Sequence, residues 1–303
     1  MCKNWEDLLF AHVNSLVEGY YSAKLKDLSR IPPAVLRFST FDSLSYHTRG
    51  ENDETVLAQI VEDISASKNI RDARIPLRTV QGSMISDRFP QLVQELQRQL
   101  QRFEENPDYD PQHDKLSGGL DASDARLMRV VVHVLMILQT LNEGFAPGTE
   151  FHSAAETVIA GYVSTLGEFN QFELIPLYAS HLLPRNAINI IGKVLVNFTG
   201  DYRKREALMK SMREHGIDVE GCFKKTMELS LKLSENIYLE SVADDHRFTF
   251  NGINDEIQPE DRQLIRGLEW LILGGPALRE EVMSKTCEVY KRFLRQFPSP
   301  YPN

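Results

Sequence analysis

The chain is poor in the residues that organise chemistry. Cysteine occurs three times in 303 residues, as Cys2, Cys222 and Cys287, with no CxxC pair to hold zinc and too little for a disulfide framework. Such usage suits a reducing compartment. The eight histidines, at positions 12, 47, 113, 133, 152, 181, 215 and 246, show no HExxH or other ligand spacing, so metal binding has no support. Glycine pairs are confined to Gly118-Gly119 and Gly274-Gly275, and neither follows a strand as a phosphate-binding loop requires. Positive charge is also short. Against 43 Asp plus Glu stand 34 Lys plus Arg, a net charge of -9 that repels a phosphate backbone or an anionic leaflet.

Long apolar runs are missing as well. The longest, Val130 to Leu138, is broken by His133 and falls far short of the roughly 20 residues of a membrane-spanning helix. It reads as a buried helix, with His133 and His181 as core or near-core histidines. Trp5, Glu6 and Asp7 stand where a signal peptide needs a basic start and an apolar run, so a secreted protein is not expected. Asn197-Phe198-Thr199 is a glycosylation sequon in form only. A hydrolase pairing Cys222 or Cys287 with a histidine would need a local motif or an electropositive setting, and neither is evident.

What the sequence has in abundance is helical periodicity. Trp5, Leu8, Leu9, Val13, Leu16, Val17 and Tyr20 fall at spacings of three and four, the stripe of an amphipathic helix. Ile31 to Asp53 has no usable period and reads as a long connection. A helix over about 54–67 follows, and then Phe89, Leu92, Val93, Leu96, Leu100 and Phe103 form a second stripe. Its other face, Gln91, Gln94, Gln97, Arg98, Gln99, Gln101 and Arg102, reads as solvated. Glu104 to Leu120, with two prolines and a glycine pair, reads as a loop.

Helices then succeed one another with short breaks. Asp121 or Ser123 can start one that buries Leu127, Val130, Val131, Val134, Leu135, Leu138 and Leu141, and Ser153 with Glu156 makes a capping box for the next. The pattern predicts a helix from about Asn170 to Leu182, another opened by Pro184, one capped by Asp201 and ended by Gly216, and one capped by Asp218. The basic run Tyr202-Arg203-Lys204-Arg205 at such a start reads as a solvated helix end, with an acidic partner surface or an import signal as its functional reading. Ser241 to Glu256 reads as an acidic loop. Beyond it Pro259 opens a helix, Gly274-Gly275-Pro276 separates it from the last one, and the pattern dissolves into Pro298 to Pro302.

About eleven helices and no credible strand predict an all-α chain, an irregular α-helical solenoid without a strict repeat. Residues 1–120 read as a first helical segment with long loops and 121–303 as a compact helical segment. The two are expected to form one continuous solenoid. Trp5, Trp270, Tyr178, Phe198 and Phe293 fall on its apolar faces.

Several blocks carry a family likeness: Trp5-Glu6-Asp7; Leu127-Met128-Arg129 through His133 and Leu135; Val158 to Leu183, which includes Leu174-Ile175-Pro176-Leu177-Tyr178-Ala179-Ser180-His181; and Glu260-Asp261-Arg262 through Leu268-Glu269-Trp270-Leu271 to Arg292-Phe293-Leu294. In order and spacing they resemble the nucleoporin 84/107 family of the Y-shaped nuclear pore coat, as a middle to C-terminal segment lacking both ends. The proline-rich ending and the Glu104 to Leu120 loop depart from the family pattern. The resemblance implies a coat-nucleoporin solenoid with no active site or cofactor, and an architectural role in nuclear transport, mRNA export and pore assembly. It further implies location at the nuclear envelope, nucleoporin 145C/96 as partner on the N-terminal side and nucleoporin 133 on the C-terminal side, without direct nucleic-acid binding or membrane insertion. A helical adaptor of a vesicle coat is the alternative with the same physics.

Overall fold

A computed structural model describes residues 4–27, 53–66, 75–106, 108–111, 120–141, 146, 148–240 and 259–295. Most of the expected connection after Ile31, the middle of the Glu104 to Leu120 loop, the acidic loop and the proline-rich ending lie outside the described residues. Among those described there are twelve α-helices, two 3-10 turns and no strand. The helices are α1 (Trp5–Asp27), α2 (Asp53–Ala66), α3 (Pro76–Ile85), α4 (Phe89–Glu105), α5 (Ala125–Leu141), α6 (Glu150–Glu168), α7 (Ile175–Ala179), α8 (Pro184–Val196), α9 (Tyr202–Glu214), α10 (Val219–Glu240), α11 (Pro259–Leu273) and α12 (Arg279–Arg295). The main helix-to-helix contacts join elements one to three apart along the chain, as in a helical solenoid. The chain forms two compact units, residues 1–158 and 159–303.

In the first unit, Trp5 of α1 is buried against Val56, Ile60 and Ile64 of α2, with Leu8, Leu9 and Leu16 packed around them. The expected stripe is shorter than its spacing suggests. Val17 and Tyr20 are 45% and 54% exposed, so α1 is apolar on more than one side. Arg78 of α3 fastens the same seam: its guanidinium lies 5.2 Å from the Trp5 ring centroid and pairs with Glu6. Gly82 lets α3 lie close on α2, since an added Cβ would sit 2.6 Å from Cγ1 of Val61.

Helix α4 buries Phe89, Leu92, Val93 and Leu96 as its pattern predicts. Gln99, expected on the solvated face, is instead fully buried. Its amide nitrogen donates to Glu95 Oε1 and to the Leu120 carbonyl, both at 3.2 Å, and its oxygen accepts from the Ala122 amide at 2.9 Å. One side chain thereby pins the segment entering α5. That helix is capped by Asp124 rather than by Asp121 or Ser123, through the Arg126 amide at 2.9 Å. Leu127, Met128, Val131, Val132 and Leu135 are buried, whereas Leu141, expected inward, is exposed. Thr149 heads α6, accepting from the His152 amide at 3.2 Å, one turn before the expected capping box.

In the second unit, the single helix expected over 170–182 is broken. Asn170 adopts φ +58, and a 3-10 turn (Phe172–Leu174) precedes the short α7. Local signals succeed beyond it. Pro184 opens α8, Asp201 accepts from the Lys204 amide at 2.9 Å, Gly216 takes φ +72, and Asp218 accepts from the Gly221 amide at 2.9 Å. Helix α10 is the central element, packing against both α8 and α11.

Candidate functional site: the helix seams

The second unit holds an aromatic cluster. Trp270 of α11 is fully buried, its ring centroid 5.3 Å from Phe198 and 5.2 Å from Phe223, and Phe172 stands 4.6 Å beyond Phe198. These rings arrive from the 3-10 turn, the end of α8, α10 and α11, so one cluster joins four elements. The edge-to-face arrangement of Phe198 against Trp270 and Phe172 suits the ring quadrupoles and adds about 0.5–1.5 kcal/mol per pair to the burial itself. A second aromatic pair, Tyr162 with Tyr178 at 5.0 Å, joins α6 to α7.

Arg205 completes the cluster. Expected at a solvated helix end with its basic neighbours, it is 12% exposed, pairs with Glu269 at 2.5 Å and lies 5.6 Å from the Trp270 ring centroid. Tyr202, Arg203 and Lys204 are the exposed members of the run.

The seam between α10 and α12 is polar. Nη1 of Arg292 donates to the Leu231 carbonyl at 2.8 Å and to Ser234 Oγ at 3.0 Å, while Nη2 donates to Glu288 at 3.1 Å. Ser234, Ser230 and Thr226 are buried along α10, and each hydroxyl donates to a carbonyl of its own helix. These small residues leave room for α11, where an added Cβ on Gly267 would meet Met227 and Ser230 at 3.0 and 3.1 Å.

No catalytic, cofactor or metal residue was expected, and among the described residues no three His, Cys, Asp or Glu side chains are grouped to hold a metal ion. Among those residues no helix is long and apolar enough to cross a membrane. The two thiols of the hydrolase reading differ. Cys222 is buried, and burial, with the Asp218 charge second, pushes its thiol up to about 12. It stays protonated at neutral pH and is a poor nucleophile. Cys287 is exposed. His181 is half-buried, and burial lowers its pKa from the usual value. His133 corrects the expectation of a core histidine: it faces solvent, its Nδ1 held 2.6 Å from the Arg129 carbonyl one turn back.

The arrangement can hold helices in register. The Nuclear pore protein 84 / 107 family matches residues 1–297. The chain belongs to this nuclear pore protein family. Nucleoporin NUP84 of Chaetomium thermophilum is 27% identical over 340 residues, an alignment that covers 98% of this chain and 34% of the relative. Nucleoporin nup107 of Schizosaccharomyces pombe is 22% identical over 300 residues, covering 97% of this chain and 33% of the relative. The chain therefore spans about a third of these nuclear pore proteins. Within the family match lie Trp5, Gln99, Arg205, Trp270 and Arg292, the residues that fasten the seams.

Proposed function

We propose that this chain is a structural segment of a scaffold nucleoporin in the Y-shaped coat of the nuclear pore, where it supports transport, mRNA export and pore assembly. The family match over nearly the whole chain carries this reading. The seams support it physically. The aromatic cluster, the buried Gln99 amide and the arginine clasps direct their bonding to neighbouring helices, as a structural scaffold requires. Its partners are other scaffold nucleoporins, with nucleoporin 145C/96 on the N-terminal side and nucleoporin 133 on the C-terminal side.

Exposed apolar side chains such as Phe10, Tyr20, Ile272, Met283 and Tyr290 favour a protein that works in an assembly. Affinity capture of the tagged full-length protein at native abundance, read by mass spectrometry, tests the reading. Recovery of scaffold nucleoporins is the expected outcome; coatomer or clathrin-type subunits in their place would show the vesicle-coat adaptor instead.

The role is architectural rather than catalytic. Because the Cys222 thiol is buried and protonated, a thiol reagent at neutral pH modifies Cys287 and spares Cys222 in the native fold. A measurable hydrolysis lost on Cys222→Ser or on Cys287→Ser would revive an enzyme.

A further inference from the structure

Helices α8 and α9 are each 13 residues long, yet their anchorage differs. Helix α8 buries Ala187, Ile190, Ile191, Gly192, Val194, Leu195 and Val196, whereas α9 buries only Leu208 and Met212. It also lies against the 3-10 turn, α7 and α10, and among the described residues its one ion pair to another helix is in its first turn, where Arg205 pairs with Glu269 and covers Trp270. Both ends of α9 adjoin glycine. At Gly200 an added Cβ would collide with the Phe198 ring, and Gly216 takes the left-handed conformation. Just past Gly216, Ile217 and Val219 are buried again, so firm anchorage resumes at that glycine.

The latch is also imperfect. Among the described residues, Nε of Arg205 and Nε1 of Trp270 are buried donors without a hydrogen-bond partner. Keeping both from water costs free energy that opening the latch returns.

We propose that α9 is a strap: it detaches as a unit between Gly200 and Gly216, with the Arg205–Glu269–Trp270 contact as its latch, and uncovers Trp270 while α8, α10 and α11 stay packed. Local opening below the global unfolding free energy is the ordinary behaviour of a segment with few buried apolar contacts. Here it is assigned to a defined helix with a defined fastener. The strap gives the second unit a way to change one surface without disturbing its central helix.

Amide hydrogen exchange on the whole chain, resolved by peptide, tests this. Residues 202–214 are expected to exchange as one group and faster than α8 or the first half of α10. Arg205→Met should speed that group roughly three- to tenfold, the scale of a partly buried cation–π and ion-pair latch, and leave α8 unchanged. Glu269→Gln, which keeps the guanidinium over the ring, should speed it less, and it serves as the test should Arg205→Met fail to fold. Equal protection of α9 and α8 in the parent chain would overturn the strap, as would a variant that speeds all three helices alike.

Discussion

The two units solve the same packing problem with different materials. In the first, the seams are small and separate: Trp5 with Arg78 closes one, and the Gln99 amide closes another. In the second, four aromatic rings from four elements form one continuous cluster around Trp270. A cluster shared by many elements makes their packing interdependent, whereas a keystone residue fixes one joint at a time. The comparison teaches that helices can be fastened either through one shared cluster or through separate keystones.

Trp270→Ala gives the sharpest test of that difference. It removes the ring common to the cluster and is expected to destabilise the second unit by about 3–5 kcal/mol, measured by chemical denaturation. Exchange should rise in α8, α10 and α11 together. Trp270→Phe should cost far less, because a ring remains and the indole N–H has no partner to lose. If exchange rises in α11 alone, the cluster is not shared.

Gln99→Ala probes a keystone of the first unit. It strands the Leu120 carbonyl and the Ala122 amide and is expected to cost about 1–3 kcal/mol, with faster exchange limited to residues 120–124 and the start of α5. Smaller still is Arg78→Met, which keeps the stem over Trp5 and loses the charge, for about 0.5–1 kcal/mol. An Arg78 effect as large as that of Trp270 would erase the contrast between the units.

The smallest effect is acid-dependent. Burial alone would raise the Glu288 carboxyl, but hydrogen bonds and charges from Lys285 and Arg292 outweigh it and hold the group below the usual carboxylate range. Its folded pKa is thus depressed. The contribution is fully present above the ordinary carboxylate pKa and is lost as pH falls through the lower folded value. Glu288→Gln should therefore narrow the stability difference between neutral and acid pH slightly, read as a shift in denaturation midpoint.

Features set by neighbours in sequence are legible in the sequence itself. Asp201, Asp218, Gly216 and Pro184 mark helix ends through bonds or dihedrals within a few residues, and all four do so in the structure. Trp5, Tyr178, Phe198 and Trp270, placed on apolar faces by their period, are buried, whereas Phe293 is only half-buried. The roles of Gln99 and Arg205 were not legible. Gln99 finds its carbonyl 21 residues away and Arg205 its carboxylate on another helix, so both looked like surface groups. A helix boundary near Asn170 was legible, but the 3-10 turn that follows it, which delays the next helix to Ile175, was not, because the apolar spacing continues through it. On α1, periodicity counted Val17 and Tyr20 inward because it cannot tell which of two apolar faces meets α2.

The central claim is a structural place in the nuclear pore coat, and imaging tests it most directly. A fluorescent tag on the full-length protein, expressed from its own locus, should outline the nuclear envelope in a punctate rim alongside a pore marker. Cytoplasmic vesicle puncta with no nuclear rim would contradict it.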